Sequence, residues 1–338
     1  MESLIDKDCS CPLVSIIIPC YNDGEYLNEA VESALVQTYP NVEIIIVNDA
    51  STDPLTIEVL GAISHPRITV CHSAENVHLS GARNKGISLA KGKYILPLDA
   101  DDKIDALYVQ KAFDVIENDA SIGAVYCKAN LFGINDGSWE LLDYSFENML
   151  VDNCVFATAL FRKEDWEKIG GYSEDFKAGL EDYDFWLSML ELGKGIYQIP
   201  EVLFYYRVKE ASMLRDFATN QAMVKQTYRQ IYFNHPDFYE RYKNEHALGL
   251  RDSWVDLRDS VRNLTVQVIH GENALAGAKE AIAEASANIW ELEHENLLIK
   301  QSLQRLEQST SWRITKPIRF VMGAMRKLMC KIKRQKSN

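Results

Sequence analysis

The chain has 338 residues, 47 % apolar and 25 % charged, an ordinary balance for a globular protein and enough for one large domain or two. Its 36 Lys and Arg against 49 Asp and Glu leave a formal net charge of −13, which excludes a protein that binds nucleic acid through its whole surface. Seven cysteines without a CxxC pair exclude a zinc ribbon or a thioredoxin-type motif and predict incidental thiols in a reducing compartment.

Residues 1–11 are acidic and polar, with no signal-peptide core, and no apolar run approaches the length of a membrane span. A cytoplasmic chain is expected, with contact at a membrane surface still open.

Residues 13–18 (Leu-Val-Ser-Ile-Ile-Ile) form a short run rich in β-branched residues, the pattern of a strand buried on both faces in a parallel sheet. Pro19 ends the run, and residues 20–24 (Cys-Tyr-Asn-Asp-Gly) form a turn. A helix is expected over 25–37, with Leu27, Ala30, Val31, Ala34 and Leu35 on one face. A second buried strand covers 42–47 and ends in Asn48-Asp49-Ala50-Ser51-Thr52-Asp53. A helix at about 55–63, a strand at 68–71 and a helix at 81–90 carrying Arg83, Asn84 and Lys85 follow. The apolar run 95–98 then stops at three carboxylates, Asp99, Asp101 and Asp102.

Strand alternating with helix is the pattern of a doubly wound α/β sheet, in which ligands bind beyond the carboxyl ends of the strands. Tyr21, Asp49 and the Asp99–Asp101 pair all fall at such ends. In an extended chain Asp99 and Asp101 point to one side, and two close anions call for a cation between them. Hard oxygen ligands of this kind suit Mg²⁺ or Mn²⁺ bridging to a diphosphate. A solvated acidic turn capping the helix after it, expected within 105–118, is the alternative. Asp49 has the residue type to accept the imide N–H of a uracil or thymine ring, or else to cap the helix after it. Tyr21 suits base stacking; Arg83 suits a diphosphate or, failing that, a place on the surface.

Four ordered stretches carry a resemblance: residues 14–22 (VSIIIPCYN), 47–53 (VNDASTD), 81–86 (GARNKG) and 98–102 (LDADD). Together they resemble the signatures of family 2 glycosyltransferases, inverting enzymes with the GT-A fold, over about residues 12–215. The resemblance implies a nucleoside-diphosphate-sugar donor, UDP- or dTDP-linked by preference. It implies that Pro19, Tyr21 and Asp49 hold the base, with Asn22 in the same turn. Arg83 and Asp99 would contact the nucleotide sugar, Arg207 would join the donor site, and Asp101, with Asp99 beside it, would ligate Mn²⁺ or Mg²⁺.

Beyond Asp102 a helix is expected at 107–116, strands at 124–132 and 155–161, a hairpin turn at 135–138, a short helix at 163–169 and a tight turn at 170–172. Residues 179–187 (GLEDYDFWL) lead into an amphipathic helix over 186–192. An acidic helix start is by itself a first turn complementing the dipole. With the family pattern, Glu181-Asp182 resembles the motif that supplies the catalytic base, and Asp182 is favoured over Glu181 and Asp184. Trp186 is expected to pack its helix on the sheet.

An edge-type strand at 202–207 leads to Tyr206-Arg207-Val208-Lys209. Lys209 departs from the family pattern, which often has histidine there; a charged lysine cannot ligate a metal but can neutralise phosphate. His78 stands where relatives often have glycine.

From Trp254 onward heptads run in one phase, with Trp254, Val261, Val268, Leu275, Ile282, Ile289, Asn296 and Leu303 on one position. That spacing predicts an all-α coiled-coil extension and a homo-oligomer, or else a helix folded back on the catalytic domain. After Glu307 no acidic residue occurs, while nine basic residues interleave with Trp312, Ile314, Ile318, Phe320 and further apolar residues. Such a basic amphipathic tail suits an anionic inner-leaflet surface. The stretch 309–319 also resembles a tail seen on bacterial surface-polysaccharide glycosyltransferases. The expected organisation is a GT-A domain over 12–215, a helical linker over 216–253, a coiled coil over 254–308 and a basic tail over 309–338. The expected function is metal-dependent inverting transfer of a sugar to a glycan or lipid-linked acceptor in envelope polysaccharide synthesis, at the inner face of the membrane and without nucleic acid. A non-catalytic scaffold that binds nucleotide sugar is the alternative.

Overall fold

The computed structural model describes residues 11–139, 141–177, 179–210, 219–270 and 275–308. The basic tail over 309–338 lies outside the described residues, as do 271–274 within the heptad region. The chain divides into two compact units, Met1–Gly249 and Leu250–Asn338.

The first unit is built on one nine-stranded sheet. Strands β1 (Val14–Cys20), β2 (Val42–Asn48), β3 (Ile68–His72) and β4 (Tyr94–Pro97) are parallel, in the spatial order β3-β2-β1-β4. Every residue of β1 is buried, as its unbroken apolar run requires once helices cover both faces. Helices α1 (Gly24–Leu35), α2 (Pro54–Ala62) and α3 (His78–Leu89) supply the crossovers. Gly24 lets α1 and α2 meet closely: a Cβ there would stand 2.4 Å from the Thr56 Cα, while its N–H donates to Thr56 Oγ1 at 2.9 Å.

Beyond β4 the sheet changes direction. After β5 (Lys103–Ile104) and α4 (Tyr108–Asn118) come β6 (Ile122–Gly133), β7 (Gly137–Ser138), α5 (Phe146–Met149), β8 (Leu160–Arg162), α6 (Lys163–Ile169), α7 (Glu181–Glu191) and β9 (Gly195–Val208). β8 is antiparallel to both β4 and β6, so β6 runs with β4, and β9 is parallel to β6. The carboxyl end of β9 therefore emerges on the same edge as the ends of β1, β2 and β4.

Two expected strands are corrected. The one at 155–161 shrinks to Leu160–Arg162, because carbonyls upstream are claimed by side chains: Trp186 Nε1 donates to Val155 O at 3.0 Å and the Tyr108 hydroxyl to Thr158 O at 2.6 Å. The one at 202–207 is no edge but part of a 14-residue strand lying between β6 and β5. A register shift, from Cys127 opposite Ile199 to Lys128 opposite Val202, absorbs Pro200 and Glu201, which hide the continuity in the sequence. The expected helix at 186–192 begins five residues earlier, at Glu181. Trp186 is fully buried against Phe161 and Phe185, in its packing role.

Helices α8 (Gln221–Asn234), α9 (Pro236–Arg241) and α10 (Lys243–His270) follow, then α11 (Leu275–Gln308). His235, between α8 and α9, is buried with Nε2 3.2 Å from Asp184 and Nδ1 3.0 Å from Glu191, which ties this turn to α7. On α11 Trp290, Leu297, Leu298 and Ile299 are exposed. Among the described residues no helix is long and apolar enough to cross a membrane. The five described cysteines are unpaired, and burial pushes the thiols of Cys20, Cys127 and Cys154 up to about 12.

Candidate active site

The β1 and β2 ends are knitted together by Asn22. Its backbone takes a left-handed φ of 59°, tolerated by Asn, and its Oδ1 accepts the N–H groups of Thr52 at 2.8 Å and Asp53 at 2.9 Å. Its own N–H donates to Ser51 Oγ at 3.1 Å. Pro19 lies inside β1 opposite Val47, and Tyr21 just beyond the strand is 44 % exposed. Asp49 is buried and its Oδ1 accepts the N–H of Val77, ahead of α3, at 2.9 Å. The cap of α2 is Asp53, accepting from Thr56 N at 2.8 Å, so the capping alternative for Asp49 falls to its neighbour. His78 opens α3 with a φ of 61°, a left-handed conformation that glycine adopts without strain.

The β4 end carries the acidic turn, and each of its three carboxylates has a different partner. Arg83 donates from Nη2 to Asp99 Oδ1 at 2.8 Å and from Nη1 to Glu181 Oε1 at 2.5 Å. It is 1 % exposed, which excludes the surface-charge alternative. Burial works against its charge, but Asp99 and Glu181 outweigh that and raise its pKa. Asp101 Oδ2 receives Lys209 Nζ at 2.7 Å, and the same ammonium lies 2.8 Å from Asp23 Oδ1. Buried Asp102 accepts the Arg207 backbone N–H at 2.8 Å, while Arg207 Nε donates to the Asp101 carbonyl at 2.7 Å. Those two bonds stitch the β9 end to the acidic turn. The Arg207 guanidinium also lies 2.9 Å from Glu29 and over the rings of Tyr26 and Phe132.

Glu181 and Asp182 open α7 after Leu180, whose φ of 64° is costly for a residue of its shape, and Gly179 at 124°. Glu181 faces inward to Arg83. Asp182 retains some exposure, and its Oδ1 accepts from Asn153 Nδ2 at 3.1 Å and from the Tyr183 N–H at 2.8 Å. Burial of the carboxyl, and then the charge of Glu181, push its pKa up to about 7.

The structure thus brings Arg83, Asp99 and Glu181 into one network and Asp101, Arg207 and Lys209 into another. Both lie in the 99–102 turn, with the Tyr21, Asn22 and Asp49 ends on adjacent strands. Sequence reasoning missed Asp23 as the second partner of Lys209, although it lies in the turn already singled out. It missed Asn153 as the partner of Asp182, and no pattern around 150–159 signals it.

A divalent ion at this turn would depend on the oxygens these contacts leave free. Among the described residues no group of three or more His, Cys, Asp or Glu side chains is arranged to hold one. The ion pairs occupy one oxygen each of Asp99 and Asp101. Mg²⁺-type ions need only one or two carboxylates when substrate phosphates complete their shell. The residues therefore fit an ion carried by a diphosphate rather than one caged in advance.

Residues 15–170 match the family model described as Glycosyl transferase family 2. An uncharacterized glycosyltransferase of Haemophilus influenzae is 32 % identical over 223 residues, which are 63 % of this chain and 74 % of that protein. Chondroitin synthase of Pasteurella multocida is 33 % identical over 191 residues, 54 % of this chain but 19 % of the synthase, so the chain spans about a fifth of its length. Among solved structures, a mannosyltransferase from Pyrobaculum calidifontis in complex with GDP-Man and Mn²⁺ superposes with a TM-score of 0.55 at 18 % identity, covering 85 % of this chain and 87 % of that one. The sheet and its helices are of the GT-A type. The chain belongs to the family 2 glycosyltransferases.

Proposed function

We propose that this glycosyltransferase moves a sugar, with inversion, from a nucleoside-diphosphate donor to a hydroxyl of a growing glycan or lipid-linked acceptor. The observation that carries the reading is the division of labour at the start of α7: Glu181 is consumed by the Arg83 ion pair, while Asp182 stands beside it with its pKa near neutrality. A general base serves best when its pKa lies near the working pH.

Asp182 takes the proton of the acceptor hydroxyl as its oxygen bonds to the anomeric carbon. The bond from that carbon to the diphosphate breaks on the opposite face, and its electron pair leaves with the diphosphate. Asp49 and Tyr21 receive the base, with a uracil or thymine imide donating to the Asp49 carboxylate, which has lone pairs beyond the one used by Val77. Arg83 acts as a positioning residue, fixing Asp99 towards the donor and Glu181 away from the acceptor. Asp101, with Asp99 beside it, would hold Mn²⁺ or Mg²⁺, which when bound offsets charge on the leaving diphosphate.

A bacterial envelope polysaccharide is the acceptor class we favour, on the kinship with chondroitin synthase and on the tail motif at 309–319. The division into a catalytic domain over 12–215, a linker over 216–253, a coiled coil over 254–308 and a membrane-facing tail over 309–338 belongs to the same reading. It is supported by the heptads, the exposed apolar residues of α11 and the nine basic residues after Glu307. A panel of UDP-, dTDP- and GDP-sugars, incubated with Mn²⁺ or EDTA and assayed for transfer and slow hydrolysis, tests the enzyme reading. Donor binding without turnover of any donor would favour a scaffold. Light scattering reporting a monomer at micromolar concentration would reject the coiled-coil oligomer. Equal sedimentation with anionic and neutral vesicles would reject membrane docking.

A further inference from the structure

Lys209 directly follows β9, and its ammonium sits between carboxylates of two different elements. Asp23 Oδ1, in the turn before α1, is 2.8 Å away and Asp101 Oδ2, after β4, is 2.7 Å away. The Tyr26 ring of α1 lies 5.4 Å from Nζ at its centroid, which covers the ammonium on one side. The backbone on either side of this contact is anchored, since the Asp101 carbonyl accepts from Arg207 Nε and the Asp102 carboxylate from the Arg207 N–H.

A compact ammonium with three donors is the side-chain group that comes nearest to a hard metal cation at a carboxylate oxygen. An ion approaching Asp101 meets a fixed positive charge on the neighbouring oxygen. At such short range, in a partly buried site, repulsion between like charges is weakly screened. A diphosphate reverses the balance, since it brings negative charge that attracts both the ammonium and the ion.

We propose that Lys209 is a tethered cation of the donor site: it occupies Asp101 and Asp23 in the free enzyme and keeps a divalent ion off Asp101 until a diphosphate arrives. The proposal rests on the reading of Asp101 as the metal-facing carboxylate. It makes donor binding precede metal binding, and it gives the site a resident positive charge when metal is scarce.

Titration of the full chain with Mn²⁺ in the absence of nucleotide, followed by the electron paramagnetic resonance signal of the free ion, tests it. Lys209→Met should bind Mn²⁺ at least about tenfold more tightly than the wild type, because a buried-side competitor of unit charge is gone. Lys209→His, which restores an uncharged ligand type, should do the same, and circular dichroism melting identifies whichever variant is folded. Equal affinity in the wild type and a folded Lys209 variant overturns the proposal. Asp101→Asn, titrated with Mn²⁺ in the presence of UDP, separates the two levels. If it weakens Mn²⁺ binding while Lys209 variants match the wild type, the tethered cation falls and the Asp101 reading stands. If it changes nothing, both fall.

Discussion

Arg83 and Glu181, 98 residues apart in the chain, meet at 2.5 Å inside the protein, with 1 % and 6 % of their side chains exposed. The pair couples the helix that follows β3 to the start of α7. Through Asp99 on the other side of the guanidinium, it also couples the acidic turn to the proposed base.

Removing the guanidinium should therefore cost stability as well as activity. Arg83→Met leaves a buried Glu181 without its counter-charge, and breaking such a pair costs about 3–5 kcal/mol. Urea denaturation should show the midpoint falling by that amount over the unfolding slope. The double change Arg83→Met with Glu181→Leu should regain much of the loss, since an apolar replacement of both partners is close to neutral.

Asp182 is predicted to set the pH dependence of transfer. Its pKa of about 7 means that the base form is lost as pH falls through neutrality, so kcat/KM should drop about tenfold per unit below that point. Asp182→Asn should lower kcat by about 10²–10⁴ and abolish this limb, with a melting temperature that does not fall, since burial disfavours the carboxylate it replaces. A variant that turns over like the wild type would remove the base assignment.

His235 should confer a pH-dependent part of the stability. Burial alone would lower its pKa, but hydrogen bonds to Asp184 and Glu191 outweigh that and raise it from 6.5 to about 9. A group whose pKa is raised in the folded state contributes stability that is complete below the unfolded pKa and is lost as pH rises through the folded one. The contribution is about 3 kcal/mol, present in full below about pH 6.5 and gone above about pH 9. Denaturation at pH 6, 8 and 10, compared with His235→Leu, should show the gap between the two proteins narrowing across that window.

Leu180→Gly should relieve about 1 kcal/mol of left-handed strain at φ 64° but forfeit the packing of the Leu180 side chain against the core, so stability should not rise. The residue precedes Glu181 directly, so the same change should loosen the base and lower kcat. A parallel rise in both melting temperature and kcat would contradict this link between strain and function.

The parallel half of the sheet was legible because its central strands are mostly apolar, β-branched runs ended by turns, as in 13–18 and 42–47. The placement of Tyr21, Asp49 and the 99–102 turn at strand ends was legible for the same reason, since strand ends are fixed once the strands are. The second half was harder. Pro200 and Glu201 interrupt β9 without ending it, and the irregular stretch before β8 looks apolar enough to be a strand. Partners such as Asn153 for Asp182, or Asp23 for Lys209, depend on long-range approach, for which local pattern carries no signal. Arg83 stands out in the sequence, yet its burial between two carboxylates is hidden there, because a helix position says nothing of what lies opposite.

The Asn22 clip has a consequence for how a ligand would be met. Two backbone donors and one side chain already hold the loops after β1 and β2 in register, so the floor beneath the proposed base pocket is set before anything arrives. Recognition there spends little on freezing the chain. Damage at residue 22 would accordingly be felt as a slackened cradle and a faster dissociation rate more than as a slower chemical step.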